Sequence, residues 1–174
     1  MKHGNKTIQY SIYDRANNGK PEFITDTTSI KRPSIEVMTD TVKGAGIAGE
    51  IDLPTIGQLS AMEYEISFKR TNEKAVALFG QKTQHLETRW VTDVLDTASG
   101  KVTTCANKEI VKGIPKKLDL GNIETNSNNE ATVAFEVTYY KFIQDGKGLI
   151  EIDKLNNVFI VNGVDYAKEL REAL

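Results

Sequence analysis

Hydrophobic and polar residues alternate along much of this chain, which is the pattern of β-strands that bury one face. The clearest segment runs from Ala61 to Phe68, and its apolar positions are Met62, Tyr64, Ile66 and Phe68. An earlier segment, Thr7 to Tyr13, places Ile8, Tyr10 and Ile12 on one face. Further strands are predicted for residues 86–95, 101–111 and 131–143, so extended structure dominates the prediction.

The segment 131–143 is the longest predicted strand. One face carries Val133, Phe135, Val137, Tyr139 and Ile143, and the other carries Thr132, Ala134, Glu136, Thr138, Tyr140 and Phe142. At about 3.3 Å per residue this strand would span roughly 43 Å, whereas ordinary strands have about 5–6 residues. A strand of this length is expected to extend beyond the core of one domain.

Turn signals separate the strands. They are Asn17-Asn18-Gly19, Ala98-Ser99-Gly100, Asp145-Gly146 and Asn162-Gly163. Because Asp-Gly is a favoured hairpin turn, residues 149–161 are expected to pair with the long strand. The apolar phase of residues 149–161 changes near Asn156-Asn157, which predicts a bulge there.

Three stretches lack a regular alternation. Residues 23–42 are predicted to be extended, although Pro33 excludes a fully hydrogen-bonded central strand. Residues 43–60 are rich in glycine and contain Pro54, which predicts a long loop, and loops of this length are usually functional or disordered. Residues 112–130 are polar and predict a loop or a hairpin tip.

Two short helices are predicted. Asn72 has the side chain of a helix N-cap, an apolar stripe follows at Ala75, Val76, Leu78 and Phe79, and Gly80 is a stop signal. A C-terminal helix is expected over residues 165–174, with Asp165 as its cap. Tyr166, Leu170 and Ala173 or Leu174 would form its apolar stripe.

Composition supports a mainly β fold. The β-branched residues Thr, Ile and Val number 45, against 26 for Leu, Ala and Met, and β-branched side chains suit a pleated surface. A chain of 174 residues suggests one domain, residues 1–174. No run of about 18 apolar residues predicts a membrane span, and the first residues do not resemble a secretory signal, so synthesis in the cytoplasm is expected.

The sequence contains few candidates for chemistry. Residues 44–49 match G-x-G-x-x-G, but the nucleotide-binding form needs a buried strand before it and a helix after it, and Pro54 would stop such a helix. His3, His85 and Cys105 are too scattered for a zinc site and lack a motif for a Cys–His nucleophile. We expect the glycines to allow close approach or positive φ, and Cys105 to pack as a small residue.

Carboxylates are abundant, at Glu63, Glu65, Asp93, Asp96, Glu136, Glu151 and Asp153. Pairs of them on one strand face could serve glycoside chemistry, but a solvated face is the favoured interpretation. A net charge of −2 and a lysine run at 112–117 without aromatic residues argue against nucleic-acid binding. The prediction is therefore a protein without enzyme activity, catalytic residues, cofactor or metal.

Two blocks of the sequence resemble the major tail tube proteins of contractile-tailed bacteriophages and of phage-tail-like bacteriocins. The first is Lys43 to Gly49, followed by an acidic stretch and the strand from Met62 to Phe68. The second comprises Gln144 to Lys147, Leu149 to Asp153 and Val161 to Asp165. The order of the elements and the chain length also agree, so the resemblance covers nearly the whole chain.

This resemblance implies a mainly β fold, a β-sandwich or partial barrel with a short flanking α-helix and a short C-terminal helix. Six copies would form a ring with a continuous inner β-barrel, and rings would stack into a rigid tube inside a contractile sheath. Sheath contraction would drive the tube through a target envelope, passing DNA in a phage or opening a leak in a bacteriocin. The subunit would be made in the bacterial cytoplasm and would end in the virion or tail-like particle.

The resemblance also implies partners and contact residues. The expected partners are copies of the chain, the sheath protein, and baseplate and terminator proteins, with DNA only as passing cargo and no membrane insertion by the free subunit. The predicted subunit-interface residues are Gly44, Ala45, Gly46, Gly49, Asp145, Gly146, Asn162 and Gly163. The alternatives are a type VI secretion-like inner tube and a β-sandwich carbohydrate-binding or adhesin module.

Overall fold

The computed structural model describes residues 2–15 and 20–174, and it confirms a mainly β fold with two short helices. The predicted turn at residues 17–19 lies outside the described residues. The strands in chain order are β1 Lys2–Asp14, β2 Glu22–Phe23, β3 Thr27–Lys31, β4 Val37–Val42, β5 Ile51–Leu59, β6 Glu63–Phe68, β7 Gln84–Asp96, β8 Lys101–Asp119, β9 Ala131–Gln144, β10 Lys147–Asp153, β11 Val158–Val161 and β12 Val164–Asp165. The helices are α1 Glu73–Leu78 and α2 Lys168–Ala173.

The main sheet has the order β12-β11-β10-β9-β8-β7-β1-β2 and is antiparallel. Strand β9 is its branch point, because residues 131–136 also pair with β6, which in turn pairs with β3. The other half of β9 pairs with β10 instead. This branching folds β6 and β3 over one face of the long strands and makes a partial barrel.

The core lies between these two layers. It contains the alternating residues of β6 together with one face of the long strands, and its largest fully buried side chains include Tyr64, Phe68, Phe135, Ile12 and Leu86. Met62, Tyr64, Ile66 and Phe68 are all 0% exposed, so the alternation predicted for residues 61–68 is confirmed. This strand is the most regular element of the sequence because one of its faces is completely covered.

Two predicted faces change at irregularities in the ladders. Between β8 and β9, Lys112 pairs with Tyr139 but Gly113 pairs with Val137, so Thr138 is an extra residue in β9. Tyr140 is therefore buried in the core, and the prediction that Tyr139 shares the face of Val137 is wrong. In β1, a register shift between Thr7 and Gln9 leaves Ile8 54% exposed.

The prediction of a loop throughout residues 43–60 is wrong for its second half, because residues 51–59 form β5. Pro54 does not prevent this strand, since it lies in a two-stranded sheet where its nitrogen needs no partner on the outer side. The stretch 23–42 is divided into β2, β3 and β4. Residues 112–119 likewise belong to β8, so the polar loop is confined to residues 120–130.

The predicted partner of β9 is two strands instead of one bulged strand. Residues 154–157 form a turn between β10 and β11, in which the carboxylate of Asp153 accepts bonds from the N–H groups of Leu155 and Asn156 at 3.0 and 3.1 Å. Asn157 has a φ of +50°. The change of apolar phase near Asn156-Asn157 therefore marks a hairpin turn, not a bulge.

Both helices exist, with different starts. Asn72 caps α1 by accepting a bond from the N–H of Ala75 at 2.8 Å, as predicted. Helix α2 begins only at Lys168, and its N-cap residue Ala167 makes no side-chain cap. Asp165 instead accepts from the N–H of Ala167 and pairs with Arg171, so its predicted place as the cap is wrong, although it still stabilises the turn before α2.

Candidate subunit-interface surfaces

Strands β4 and β5 form a separate two-stranded sheet, which we call the ribbon (residues 37–59). The pairs Val42 with Ile51 and Asp40 with Leu53 place these side chains on one face, together with Met38. The opposite face carries Thr39, Thr41, Asp52 and Pro54. The ribbon therefore has one polar face and one mostly apolar face.

The apolar face of the ribbon is not covered by the rest of the subunit. Met38, Ile51 and Leu53 are 51%, 53% and 56% exposed, and Ile56 in the irregular part of β5 is 75% exposed. An isolated two-stranded hairpin is at best marginally stable in water, and contiguous exposed apolar side chains mark contact surfaces. The ribbon is therefore a candidate contact surface.

The predicted interface residues Gly44, Ala45, Gly46 and Gly49 lie in the turn at the tip of the ribbon. Gly46 and Gly49 have φ of +90° and +112°, values that glycine adopts without strain, and a side chain added at either position would meet no atom within 4 Å. The segment joins two strands and does not open a helix. This geometry lacks the helix N-terminus that the nucleotide-binding motif needs.

The base of the ribbon is tied to the core. Lys154 Nζ donates to the carbonyl of Ser60 at 2.9 Å, and Leu170 of α2 lies against Gly57. Ile35 and Leu59 pack on the core cluster. The base is therefore held near the carboxyl end of β10, while the tip extends away from these contacts.

The other predicted interface residues form two turns at the opposite end of β10. Asp145-Gly146, with φ of +45° and +79°, joins β9 to β10, and Asn162-Gly163, with +50° and +84°, joins β11 to β12. The N–H of Asn162 donates to the carbonyl of Leu149 at 2.7 Å, so the two turns lie at one edge of the sheet. The structure therefore places these four residues at the amino end of β10, and the other four predicted interface residues at the ribbon tip.

An arginine cluster that the sequence analysis did not identify lies between the two layers. The guanidinium of Arg32 donates to Glu109 and to Tyr140, each at 2.9 Å, and lies 4.7 Å from the ring centroids of both Trp90 and Phe142. Burial alone would lower the pKa of Arg32, but Tyr140 and Glu109 raise it. Sequence gives little signal for such a cluster, because its members come from four different strands or strand ends.

Trp90 belongs to this cluster and is half-buried, stacked on Phe142 with ring centroids 5.7 Å apart. Sugar-binding modules present aromatic faces to solvent, whereas this indole is used within the fold. The carbohydrate-binding alternative therefore loses the one tryptophan that could have served it.

The groups considered for catalysis and metal binding are separated. His85 pairs in register with Lys112, and Cys105 pairs with Thr92, while His3 lies on β1. Burial lowers the pKa of His85 and raises that of the Cys105 thiol, which disfavours a thiolate. In the described part of the chain, His, Cys, Asp and Glu side chains form no group of three or more that could hold a metal ion.

Three of the carboxylates predicted to form solvated faces, Glu63, Glu136 and Glu151, are engaged with lysines. Lys116 lies 2.9 Å from Glu63 and 3.3 Å from Glu136. The hydrogen bond that Lys116 donates to Glu63 lowers the pKa of Glu63. Glu151 is 3.0 Å from Lys141. A lowered pKa makes Glu63 a poor proton donor, which argues against a glycosidase role for this carboxylate.

Comparison with known proteins assigns the chain to a family. A family model described as "Phage tail tube protein FII" matches residues 14–174. The chain belongs to this tail tube family. The family consists of structural proteins and not of enzymes, and tail tube proteins are part of the phage or tail-like particle. Neither described helix has the length and apolar content that a bilayer crossing needs.

A curated relative of this tail tube protein is the "Tail tube protein" of Escherichia phage P2. It is 34% identical over 68 residues, which are 39% of this chain. The chain thus spans about 40% of the length of the curated relative that it matches. The resemblance inferred from the sequence blocks is confirmed at the level of the family.

Solved structures share the fold. One is a chain of an extracellular contractile injection system, from the PVC sheath/tube terminator in the extended state. It is 10% identical to this chain, and the match has a TM-score of 0.51 and covers 82% of this chain and 97% of that chain. A chain of the PVC sheath-tube complex in the extended state is also 10% identical, with a TM-score of 0.50 over 79% and 88%. At this level of identity the likeness concerns the fold alone.

Proposed function

We propose that this chain, as a single domain of residues 1–174, is the building subunit of the inner tube of a contractile phage tail or tail-like bacteriocin. The observation that carries the proposal is the ribbon, whose apolar face is uncovered in a member of the tail tube family. Six copies form a ring, rings stack into a rigid hollow tube, and sheath contraction drives the tube through the target envelope.

The ribbon base and the predicted turn residues support axial stacking. The ribbon base contacts the carboxyl end of β10, whereas Asp145, Gly146, Asn162 and Gly163 lie at its amino end. Surfaces at opposite ends of a subunit make heterologous contacts, which generate open stacks when repeated. The ribbon of one subunit then contacts a copy in the adjacent ring.

The subunit also has partners other than its own copies. We assign it a contractile sheath around the tube, and baseplate and terminator proteins at the two ends. DNA passes through the bore as cargo in a phage, and the free subunit does not insert into membranes. The sheet face opposite the core, where Lys141 pairs with Glu151 and Arg89 with Glu87, lines the bore in this arrangement.

The test is assembly of the purified chain, followed by size-exclusion chromatography and negative-stain electron microscopy. The wild-type chain is expected to form rings or stacked tubes. Leu53→Asp introduces a charge on the apolar face of the ribbon and is expected to abolish stacking while the subunit stays folded.

The matched control is Thr39→Asp, which places the same charge on the polar face of the ribbon and is expected to leave assembly intact. A wild-type chain that remains monomeric at high concentration would overturn the proposed function. Normal tubes from Leu53→Asp would show that the ribbon is not the stacking surface.

A further inference from the structure

Three strands continue beyond the core as a projecting arm, made of residues 2–9, 91–96 and 101–106. Their pairing is continuous, since Lys2 and Lys101 both pair with Asp96, and Gln9 and Ala106 both pair with Val91. Strand β9 accompanies β8 only as far as Asn107, which pairs with Gln144. Within the described residues the arm is therefore a three-stranded sheet with two outer edges, one on β1 and one on β8.

The edge on β8 is an unpaired ladder. The outward backbone groups of Ala106 are occupied by Asp145. The N–H of Asp145 donates to the carbonyl of Ala106 at 2.8 Å, and its Oδ1 accepts from the N–H of Ala106 at 2.9 Å. Because strand geometry repeats every two residues, Thr104 and Val102 direct their N–H and C=O to the same side. The described chain has no strand there.

The other end of the same strand is protected against such pairing. Residues 114–119 of β8 extend past the start of β7, and they carry Pro115, Lys116 and Lys117 with a register shift. Proline, lysine and bulges are the devices that block edge pairing in soluble proteins. Apart from Lys101 at its start, the edge at 101–105 has none of them, and it pairs with β7 without any shift.

We propose that the β8 edge of one copy pairs with the β1 edge of a neighbouring copy, and that this junction is parallel. The proposal rests on the ring assembly proposed above. Rotation about a ring axis brings the free β8 edge of one copy against the outer edge of β1 in the next copy. Strands β1 and β8 are both antiparallel to β7, so they run in the same direction, and rotation about the ring axis preserves that direction.

The β1 edge suits the closing of a ring. It carries two register shifts, between Gly4 and Thr7 and between Thr7 and Gln9, and such bulges increase local twist and bend a sheet. From Gln9 to Ser11 the pairing with β7 is regular, and the edge ends at Ile12, whose carbonyl accepts from Ile24. Residues 9–11 are therefore the segment expected to meet β8.

Disulfide mapping in assembled rings tests the direction of this junction. Single cysteines at Gln9 or Ser11 are combined with single cysteines at Val102, Thr104 or Ala106 in a Cys105→Ser background, all on the sheet face opposite the core. Parallel pairing predicts that the crosslinked pairs share a constant difference between their residue numbers. A constant sum, which antiparallel pairing would give, or no crosslink between β1 and β8, overturns the proposal.

Thr104→Pro tests the junction by a second route. It removes an N–H that has no partner within the described subunit, so the subunit should keep its circular dichroism and melting temperature, while assembly should need at least about tenfold more protein, a loss worth about 1.4 kcal/mol. Thr104→Val keeps the N–H and should assemble normally. Rings from folded Thr104→Pro would overturn the junction but not the tube function, whereas failure of the wild-type chain to form rings would overturn both.

Discussion

Arg32 joins the two layers of this fold. It lies just after β3, in the layer formed by β3 and β6, and its guanidinium donates to Glu109 and Tyr140 on the long strands. Glu109 is completely buried, and its Oε1 atom has no hydrogen-bond partner among the described residues, so the carboxylate depends on the contacts of its other oxygen with Arg32 and Tyr140. A buried charge that loses its partner is strongly destabilising.

Arg32→Ala is therefore expected to lower the free energy of unfolding by about 3 kcal/mol, with a further contribution from the lost contacts with Trp90 and Phe142. Urea denaturation of the unassembled subunit measures this change. Arg70→Ala is the matched control, because the Arg70–Asp26 pair is exposed and 3.5 Å long, and it should cost less than about 1 kcal/mol. Equal losses in the two variants would contradict the role given to Arg32.

Gly46 provides a test of the ribbon tip. Its φ of +90° makes any side chain strained by about 1–2 kcal/mol, yet a side chain would find open space in the free subunit. Gly46→Val is expected to impair tube assembly much more than it lowers the melting temperature, because the side chain would enter the contact with a neighbouring copy.

Gly46→Asn separates strain from contact, since asparagine tolerates the left-handed conformation. It should also impair assembly, as seen by electron microscopy. Tubes of normal length and number from this variant would mean that the tip of the ribbon makes no tight contact.

At the scale of elements, sequence predicted best what local patterns determine. Strand β6, helix α1 and the Asp145-Gly146 turn follow from alternation, a capping side chain and turn chemistry over a few residues. Strand β5 was missed because its alternation covers only Ile51-Asp52-Leu53 before Pro54, and glycine and proline are signals of loops. The change of face at Thr138 was missed because a bulge is a property of two paired strands.

Helix α1 yields a prediction at this scale. It has only six residues, too short to be stable alone, and it depends on the Asn72 cap and on the buried side chains of Ala75 and Leu78. Asn72→Ala should lower the free energy of unfolding by about 1 kcal/mol, whereas Asn72→Asp should keep the cap. Thermal denaturation of the free subunit compares them, and an equally large loss in both variants would count against the cap.

At the scale of the whole molecule, the resemblance predicted the family, but the assembly surfaces needed the structure. The residues proposed from sequence were turns, whereas the structure adds the ribbon face and the free edge of β8. Edges are invisible in a sequence, because whether a strand is outermost depends on where its neighbours end. Strand β8 is central at Val111 and outermost at Thr104, within one continuous strand.

In the proposed tube, the sheet face opposite the core lines the bore and would determine how the tube treats a polyanion. Three of the cations on this face have carboxylate partners, since Glu87 lies between Arg15 and Arg89 and Lys141 pairs with Glu151, while Lys108 and Lys112 lie on the same face. Salt-dependent binding of DNA requires cations free to replace counterions on phosphates. A bore lined by this face should therefore let DNA pass without holding it.

Wild-type tubes are accordingly expected not to retain duplex DNA in co-sedimentation at about 200 mM salt, and to show little change at about 50 mM. Glu151→Lys is the informative variant, because it would leave Lys141 unpaired close to Lys112, which lies over the ring of Tyr139. Tubes of this variant should retain DNA at the lower salt concentration and release it at the higher one. Strong, salt-dependent retention by the wild-type tube would show that a different, basic surface faces the cargo.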